Sequence, residues 1–298
     1  AEGAAHPPHP VCTRPLPSTP GAMAQTEEKP SLPEGYKVPE VWAPPSEMGG
    51  TFGAINQPTA GPRTEEALPK GEHAIQLYSL GTPNGIKVTV LLEELGVEYD
   101  AWFIPIMAQK QFTSGFVSCN PNSKIPCMYD YNPDSSDLDA KAATDDPVRV
   151  FESGSILIYL AEKYGKFIPA ERRKRTECLN WLMWQMGSAP MIGGGFGHFY
   201  KYSPIKIEYC INRFSMETKR LLDVLDQHLG GTTDGKPKDW VCGDEYTIAD
   251  MAIAPWVRCI DNGYNAATFL GLEGYKHVGA WLARLGERKA FQRGRRVN

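Results

Sequence analysis

The chain has 298 residues, a formal net charge of −4 and a hydrophobic content of 42%. This length and composition suffice for two ordinary domains with filled cores, so we expect a globular protein. No run of about eighteen apolar residues occurs, and the opening residues 1–21 lack the continuous apolar core of a secretory signal. The sequence therefore predicts a cytoplasmic protein without a membrane partner.

The acidic balance also disfavours nucleic acid as a partner. With a pI of about 5.9, the protein as a whole has no attraction to phosphate backbones. The basic stretch 288–296 is the exception. Cations in the last turn of a helix are expected from the helix dipole, and we favour that interpretation of the stretch.

The cysteines form neither a disulfide framework nor a metal site by their spacing. There are seven, an odd number, with no C-x-x-C pair and no histidine at ligand spacing. We expect no metal. Cys127 could lie near a site because it follows Ile125-Pro126, but a small apolar core residue is the favoured interpretation.

The chain begins with an extension that has no helical or strand period. Residues 1–69 are rich in Pro, Gly, Ser and Thr. We expect residues 1–35 to be disordered or foreign to the natural protein, with Met23 as a candidate natural start. Residues 36–72 are expected to form an N-terminal arm.

Strand and helix signals then alternate. Ile75–Tyr78 reads as a strand, and the following helix is expected to stop at Gly96. Three more strands are predicted near residues 99–106, 125–129 and 148–151, and a further helix begins at Ser153. The acidic stretch 131–146 is predicted to be a solvated loop.

Helical patterns dominate the second half. Ser203-Pro204 predicts a helix start with proline in the first turn. Thr247 and Asp250 are spaced as a capping box, for which we expect a structural role. Residues 230–236 spell G-x-x-x-x-G-K, but they follow a helix and continue with Pro237, so we predict no nucleotide site.

Three short motifs stand where an apolar strand meets a turn or helix: residues 82–85 (TPNG), 123–126 (SKIP) and 151–154 (FESG). A helix start offers free N–H groups to an anion or thiolate. An extended residue before proline can pair with a peptide as an added strand would. Because Glu152 suits an ammonium group and Ser153 a carboxylate, the motifs together predict a site for a peptide with an amino-acid end.

These motifs, in this order, resemble the glutathione-binding half of the glutathione transferase superfamily. Four blocks, beginning QLYSLGTPNG, NPNSKIP, RVFESGSILIYL and GGGFGHFYKY, are similar to its nu-class members, the bacterial glutathione-dependent disulfide-bond oxidoreductases related to the yeast nitrogen regulator. The resemblance implies a thioredoxin-like α/β domain at residues 73–165 and an all-α domain at 172–298, after an arm like that of the bacterial relatives. It also implies a homodimer that binds one or two glutathione molecules per subunit.

The resemblance assigns roles around the glutathione sulfur and its cysteinyl and γ-glutamyl parts. Thr82 and Asn84 match the neighbours of the sulfur, although plain helix capping is the alternative. Ile125 is expected to pair through its backbone, before a cis bond to Pro126. Glu152 and Ser153 match the residues that hold the γ-glutamyl amine and carboxylate.

Other matching positions are farther from the sulfur. Gln111 and Lys124 are expected to reach the glycyl end. Arg213 could hold the carboxylate of a second glutathione or form a surface salt bridge. The aromatic run 193–202 is expected to be a bent loop that lines the acceptor pocket, with Tyr200 and Tyr202 as candidates and helix packing as the alternative.

The function implied is a glutathione-dependent disulfide-bond oxidoreductase that reduces small disulfides without a protein cysteine. The first alternative is a glutathione S-transferase that conjugates or deconjugates electrophiles. The second is a non-catalytic glutathione-binding regulator like the yeast protein. That protein has an Asn-rich N-terminal region, whereas the extension here is Pro-rich, which disfavours the regulator.

Overall fold

A computed structural model describes residues 32–45, 48–53, 55–232 and 234–297. The expectations for residues 1–31, including the candidate start at Met23, lie outside these residues. The chain divides into two units, residues 1–43 and 44–298. In the first, residues 32–43 are exposed, irregular chain with one turn at 33–36. No helix in the described ranges has both the length and the apolar character to span a membrane.

The second unit contains four strands and nine α-helices within its described residues. Their bounds, in chain order, are β1 Ile75–Ser79, α1 Pro83–Leu95, β2 Tyr99–Phe103, α2 Ser114–Cys119, β3 Cys127–Asp130, β4 Val148–Phe151, α3 Ser153–Lys163, α4 Arg172–Pro190, α5 Glu208–Leu229, α6 Ile248–Asn262, α7 Ala267–Leu270, α8 Lys276–Glu287 and α9 Lys289–Gly294. A π-helical segment, Met191–Tyr202, joins α4 to the turn before α5.

The strands form one sheet in the order β2-β1-β3-β4. The central strand β1 runs parallel to β2 and antiparallel to β3, and β3 runs antiparallel to β4. Every residue of β1 is buried, as expected for a strand covered on both faces. This sheet with its helices, followed by an all-helical domain, confirms the predicted fold class.

Helix α1 illustrates how local sequence sets the elements that carry the site. It begins at Pro83, after Thr82 as N-cap, and it ends at Gly96, whose φ of 72° is left-handed. The predicted stop at Gly96 is therefore correct. Its buried apolar residues pack into the main core, which the helical domain shares.

The predicted capping box is present at the start of α6. The Thr247 hydroxyl accepts a bond from the backbone N–H of Ala249, and the Asp250 carboxylate accepts one from the N–H of Thr247 at 3.0 Å. Asp250 also accepts bonds from the N–H of Val241 at 2.8 Å and from the Trp281 indole at 2.9 Å. The buried Asp250 side chain thus links α6 to α8 and to the loop that precedes α6.

The predicted helix start at Ser203-Pro204 is wrong. The Ser203 N–H donates to the His198 carbonyl at 2.7 Å and so closes the π-helical segment, while α5 begins only at Glu208. The expected bent loop at 193–202 is therefore helical. Its glycines allow close packing, since a Cβ on Gly193 would lie 2.5 Å from the Trp256 ring.

The part of the arm within the second unit packs on the sheet domain of its own chain. Thr64 bridges to Thr113, and the Tyr78 hydroxyl donates to the Pro69 carbonyl at 2.6 Å. The Arg63 guanidinium donates to the Ile55 carbonyl at 3.0 Å. These contacts attach Thr64 to the start of α2 and Pro69 to β1, and they link Arg63 to Ile55 within the arm.

The basic C-terminal stretch makes ion pairs within the chain. Arg288 pairs with Glu94 at 2.7 Å, and Arg293 pairs with Glu93 at 2.6 Å. Both acids belong to the last turn of α1, on which α9 packs. These pairs give two cations of the stretch partners within the chain, and the helix-dipole interpretation stays a prediction.

Candidate active site

A cavity of about 450 Å³ lies between the sheet domain and the helical domain. All three sequence motifs contribute to it, although they are far apart along the chain. Its lining residues are Phe52, Ile55, Asn56, Thr82, Pro83, Asn84, Ile106, Gln111, Asn120, Asn122, Ser123, Lys124, Ile125, Pro126, Glu152, Ser153, Gly193, Gly194, His198, Tyr202 and Trp256. The structure thus brings together nine of the eleven candidate site residues, from Thr82 to Tyr202.

The start of α1 offers two donors to the cavity. The Thr82 oxygen accepts a bond from the Gly85 N–H at 3.4 Å, which leaves its hydroxyl hydrogen free to donate. The Asn84 amide oxygen accepts a bond from the Trp256 indole N–H at 2.9 Å. Because an indole N–H can only donate, the NH₂ end of Asn84 is the end left for a ligand.

The second motif presents unpaired backbone. The Ile125-Pro126 bond is cis, as predicted. Within the described ranges, the N–H and C=O of Ile125 have no hydrogen-bond partner, whereas the neighbouring Lys124 carbonyl accepts a bond from the Asn120 side chain at 2.6 Å. An extended peptide could therefore pair with Ile125 as an added strand.

The third motif combines a carboxylate with a helix N-terminus. Glu152 is the residue before α3 and has a φ of 68°, a left-handed value that is uncommon for a residue other than glycine. The first N–H groups of α3, at Ser153 and Gly154, have no hydrogen-bond partner among the described residues. An ammonium group at Glu152 and a carboxylate at Ser153 would both be satisfied here.

Gln111 and Lys124 also line the cavity, and Lys124 lies near the arm residues Ile55 and Asn56. Gln111 is 4% exposed, and its side-chain oxygen has no partner within the described ranges. Lys124 lines the cavity and is exposed. Both could bond a terminal group of a bound peptide.

The helical domain supplies one wall. Tyr202 and His198 of the π-helical segment line the cavity. Tyr200 is outside the lining and stacks on Phe196 at 4.9 Å, which is the packing role given as its alternative. Arg213 is also outside the lining.

Arg213 takes the second of its two expected arrangements in this structure. Its guanidinium lies 3.6 Å from the Glu217 carboxylate, one turn along α5. The side chain is 47% exposed, so the pair is a surface salt bridge. Its contact with a second glutathione stays a prediction.

Several lining residues were not predicted from the sequence. Trp256 belongs to α6, far along the chain from Asn84, and no local pattern indicates the contact. Phe52, Ile55 and Asn56 come from the arm, which has no period to place it. Asn122, whose amide lies 3.5 Å from the Glu152 carboxylate, could have been suspected because it belongs to the NPNSKIP block.

No cysteine lines this cavity among the described residues. Cys127 follows the cis-proline bond but is fully buried in a small cluster behind the sheet, and burial raises the pKa of its thiol. It matches the predicted core role. In the same ranges, no three His, Cys, Asp or Glu side chains are grouped as metal ligands.

One buried cation lies directly behind the cavity. Lys87 of α1 donates to the Gln185 side-chain oxygen at 2.6 Å and to the Ser153 hydroxyl at 3.3 Å. Burial lowers the pKa of Lys87 to about 7, and the nearby Glu152 raises it in part. Lys87 was not predicted as a site residue, because no local pattern distinguishes it from an ordinary helix residue.

Comparison with known proteins identifies the family. The family described as "Glutathione S-transferase, C-terminal domain" matches residues 208–284. The chain is 55% identical over 273 residues to the disulfide-bond oxidoreductase YghU of Escherichia coli K12, covering 88% of each protein. The chain belongs to the glutathione transferase superfamily.

Solved structures of other glutathione transferases share this fold. Glutathione transferase YghU from Streptococcus pneumoniae, complexed with glutathione, has 47% identity and a TM-score of 0.80, covering 88% of this chain and 98% of that one. A glutathione transferase from Burkholderia graminis, with two glutathione molecules bound per subunit, has 39% identity and a TM-score of 0.68, covering 76% and 88%. The resemblance to glutathione transferases is thereby confirmed.

Proposed function

We propose that this glutathione transferase is a disulfide-bond oxidoreductase that uses glutathione as its reductant. The observation that carries the proposal is a cavity on which three glutathione-type motifs converge and which no described cysteine lines. The attacking thiol then comes from the ligand. The names of the Escherichia coli relative and of the glutathione-bound neighbours support this reaction and this thiol.

Glutathione would lie across the three motifs. Its γ-glutamyl ammonium would contact Glu152, its γ-glutamyl carboxylate would contact Ser153 and the N–H groups of α3, and its cysteinyl backbone would pair with Ile125. Gln111 and Lys124 would bond the glycyl end. In this proposal the sulfur faces Thr82 and Asn84 at the start of α1.

The start of α1 would activate the sulfur. The Thr82 hydroxyl and the Asn84 NH₂ can each donate a hydrogen bond to a thiolate, and the helix dipole adds positive potential. These interactions favour the charged form and so lower the pKa of the bound thiol. Trp256 holds the Asn84 amide in the orientation that donates.

The reaction would occur in two exchange steps. The bound thiolate attacks one sulfur of a disulfide RSSR, so that a glutathione–SR bond forms and RS⁻ leaves and takes up a proton. A second glutathione, as its thiolate, attacks the glutathione sulfur of this mixed disulfide and releases the other RS⁻. Two glutathione molecules are oxidised to glutathione disulfide, and RSSR is reduced to two thiols.

The acceptor and the second glutathione would enter beside the helical domain, near Tyr202 and His198. The two glutathione molecules per subunit in the Burkholderia graminis structure support a place for the resolving thiol. Arg213 and Tyr200 would contact the acceptor or the second glutathione only if their side chains changed position. We also propose a cytosolic homodimer, as the family resemblance implies.

The test is reduction of hydroxyethyl disulfide by glutathione, coupled to NADPH oxidation by glutathione reductase. We expect the wild type to be active and Asn84→Ala to lower kcat/KM about ten-fold or more, because one donor to the thiolate is lost. Asn180→Ala, at an exposed position on α4, is the matched control and should retain full activity.

Two results would oppose the proposal. An inactive wild type that binds glutathione and conjugates chlorodinitrobenzene would indicate transfer to carbon instead. An inactive wild type that binds glutathione and conjugates nothing would indicate the regulatory alternative. Equal activity of Asn84→Ala and Asn180→Ala would remove Asn84 from the sulfur site.

A further inference from the structure

Lys87 is a buried ammonium group one turn after Asn84 on α1. Its exposed fraction is 1%, and its two hydrogen-bond partners, Gln185 and Ser153, are both uncharged. A lysine is rarely buried without an acidic partner, since removing its charge from water is costly. This position therefore calls for a functional explanation.

A second buried lysine provides the contrast. The side chain of Lys163 on α3 is 5% exposed, and it forms an ion pair with Asp130, which is fully buried. Lys87 has no such pair among the described residues. The residues around Lys87 accept hydrogen bonds from its ammonium group, but none of these acceptors is negatively charged.

The charged groups on the neighbouring helices do not neutralise the Lys87 ammonium group. Glu152, before α3, is the one charged group that raises the pKa of Lys87, and burial outweighs it. The other charged residues of the helices around Lys87 form no described ion pair with it; they are Glu93 and Glu94 on α1, Glu162 and Lys163 on α3, Arg172, Arg173, Lys174, Arg175 and Glu177 on α4, Asp250, Arg258 and Asp261 on α6, and Lys289 and Arg293 on α9. Apart from the influence of Glu152, Lys87 has no described acidic partner, and a carboxylate of the ligand would supply a counter-ion.

Ser153 is the link between Lys87 and the cavity. Its hydroxyl oxygen accepts the bond from Lys87, and its hydrogen is directed at the Met186 sulfur at 3.8 Å, which is a weak acceptor. A carboxylate in the cavity is a far stronger acceptor for that hydrogen. It would then be joined to the ammonium group through one hydroxyl.

We propose that Lys87 is the buried counter-ion of the ligand carboxylate held at Ser153, and that it makes the site selective for peptides with a γ-linked N-terminal glutamate. The inference rests on the proposed glutathione site. A γ-linked glutamate keeps its free α-carboxylate next to its ammonium group, so both can be bound at Ser153 and Glu152. An α-linked glutamate has an amide at that point and offers no charge to Lys87. Lys87 acts through Ser153 and is a positioning residue.

Proton uptake on binding distinguishes this role from a structural one. At pH 8 a buried amine with a pKa of about 7 is largely neutral in the free protein. A bound carboxylate favours its charged form, so binding draws in a proton. The affinity for the ligand then falls as the pH rises above 7.

The experiment is titration calorimetry at pH 8 in two buffers of different ionisation enthalpy. The ligand is S-methylglutathione, which has no thiol to ionise. We expect the wild type to take up about 0.5 to 1 proton per bound ligand. Its affinity for S-methylglutathione should fall by up to about ten-fold per pH unit above pH 7. The α-linked isomer, S-methylated Glu-Cys-Gly, should bind at least about ten-fold more weakly and without this uptake.

The matched variants are Lys87→Met and Lys163→Met, which each remove a buried lysine. We expect Lys87→Met to abolish the proton uptake and to bring the affinities for the two isomers to within about three-fold of each other. Folded Lys163→Met protein should retain the proton uptake and the preference for the γ-linked isomer, even if its free energy of unfolding is lower. A Lys87→Met protein with wild-type uptake and preference would overturn the inference.

A second variant keeps the test decisive if Lys87→Met does not fold. Gln185→Glu places a carboxylate beside the ammonium group, so Lys87 is already charged before the ligand binds. Proton uptake should then vanish and affinity for S-methylglutathione should fall several-fold. Unchanged uptake in Gln185→Glu would overturn the inference.

The failure of this inference can be told apart from the failure of the proposed function. A wild type that binds S-methylglutathione without proton uptake and without isomer preference would overturn the role of Lys87 alone. A wild type that does not bind S-methylglutathione would overturn the proposed site and the inference with it.

Discussion

Glu152 holds an uncommon backbone conformation at the point where a ligand amine would bind. A left-handed φ of 68° at a residue with a side chain costs about 1–3 kcal/mol. The conformation places the Glu152 carboxylate beside the unpaired N–H groups that begin α3. Backbone strain at this residue therefore brings a negative and a positive binding group into one small region.

Replacing Glu152 with glutamine should weaken glutathione binding about ten-fold, because the ammonium group loses its charged partner. Thermal stability should change little, since the amide has the shape of the carboxylate. Titration calorimetry with glutathione measures the effect. Glu162→Gln, on the helix α3 that follows Glu152, is the control and should bind normally, because Glu162 pairs with Arg175 outside the cavity. Equal affinities of the two variants would exclude Glu152 from the amine site.

At the scale of residues, contiguous motifs were predictable and contacts between elements were not. Thr82, Ile125 and Glu152 stand next to strand ends, and strand ends can be recognised from local periodicity. The bond between Trp256 and Asn84 joins residues of different domains. Its existence depends on how α6 packs on α1, which no local pattern encodes.

The capping network of α6 joins more than one element. Asp250 is fully buried and accepts hydrogen bonds from Thr247, from the loop residue Val241 and from Trp281 on α8. Burial raises the pKa of Asp250 to about 6, while these bonds lower it in part. The Asp250 carboxylate thus links the start of α6, the loop at Val241 and α8.

Truncating this network should destabilise the protein unequally. We expect Thr247→Ala to lower the free energy of unfolding by about 1 kcal/mol, as for a lost N-cap. Asp250→Ala should lower it by about 3 kcal/mol, since three buried N–H groups lose their acceptor. Urea unfolding measures both. Glu171→Ala removes the exposed N-cap of α4 and is the control, for which we expect the smallest loss of stability. If Asp250→Ala were as stable as Glu171→Ala, the structural role of Asp250 would be refuted.

At the scale of elements, the strands and α1 could be predicted, but the start of α5 could not. The predicted strands lie within a few residues of the observed ones, because short apolar runs bounded by turn residues mark them in the sequence. Ser203-Pro204 resembles a helix start, yet the preceding glycine-rich segment is helical and uses Ser203 to close its last turn. The segment packs tightly against Trp256, and a sequence does not report that contact.

For the whole molecule, the cavity exists only where the two domains meet. The sheet domain supplies the motifs at residues 82–84, 123–126 and 152–153, and the helical domain supplies Tyr202 and Trp256. The described cysteines lie elsewhere in the chain, several of them buried in the cores. This distribution separates the proposed chemistry from every described protein thiol.

The central claim is that bound glutathione, and no protein cysteine, reduces the disulfide. The measurement that tests it most directly is glutathione-dependent reduction of hydroxyethyl disulfide by a variant in which all seven cysteines are replaced, with alanine at buried positions and serine elsewhere. Circular dichroism and thermal unfolding would establish that the variant is folded. We predict a kcat/KM within about three-fold of the wild type, and a further loss of about ten-fold when Asn84→Ala is added. A folded variant without disulfide reductase activity would contradict the account.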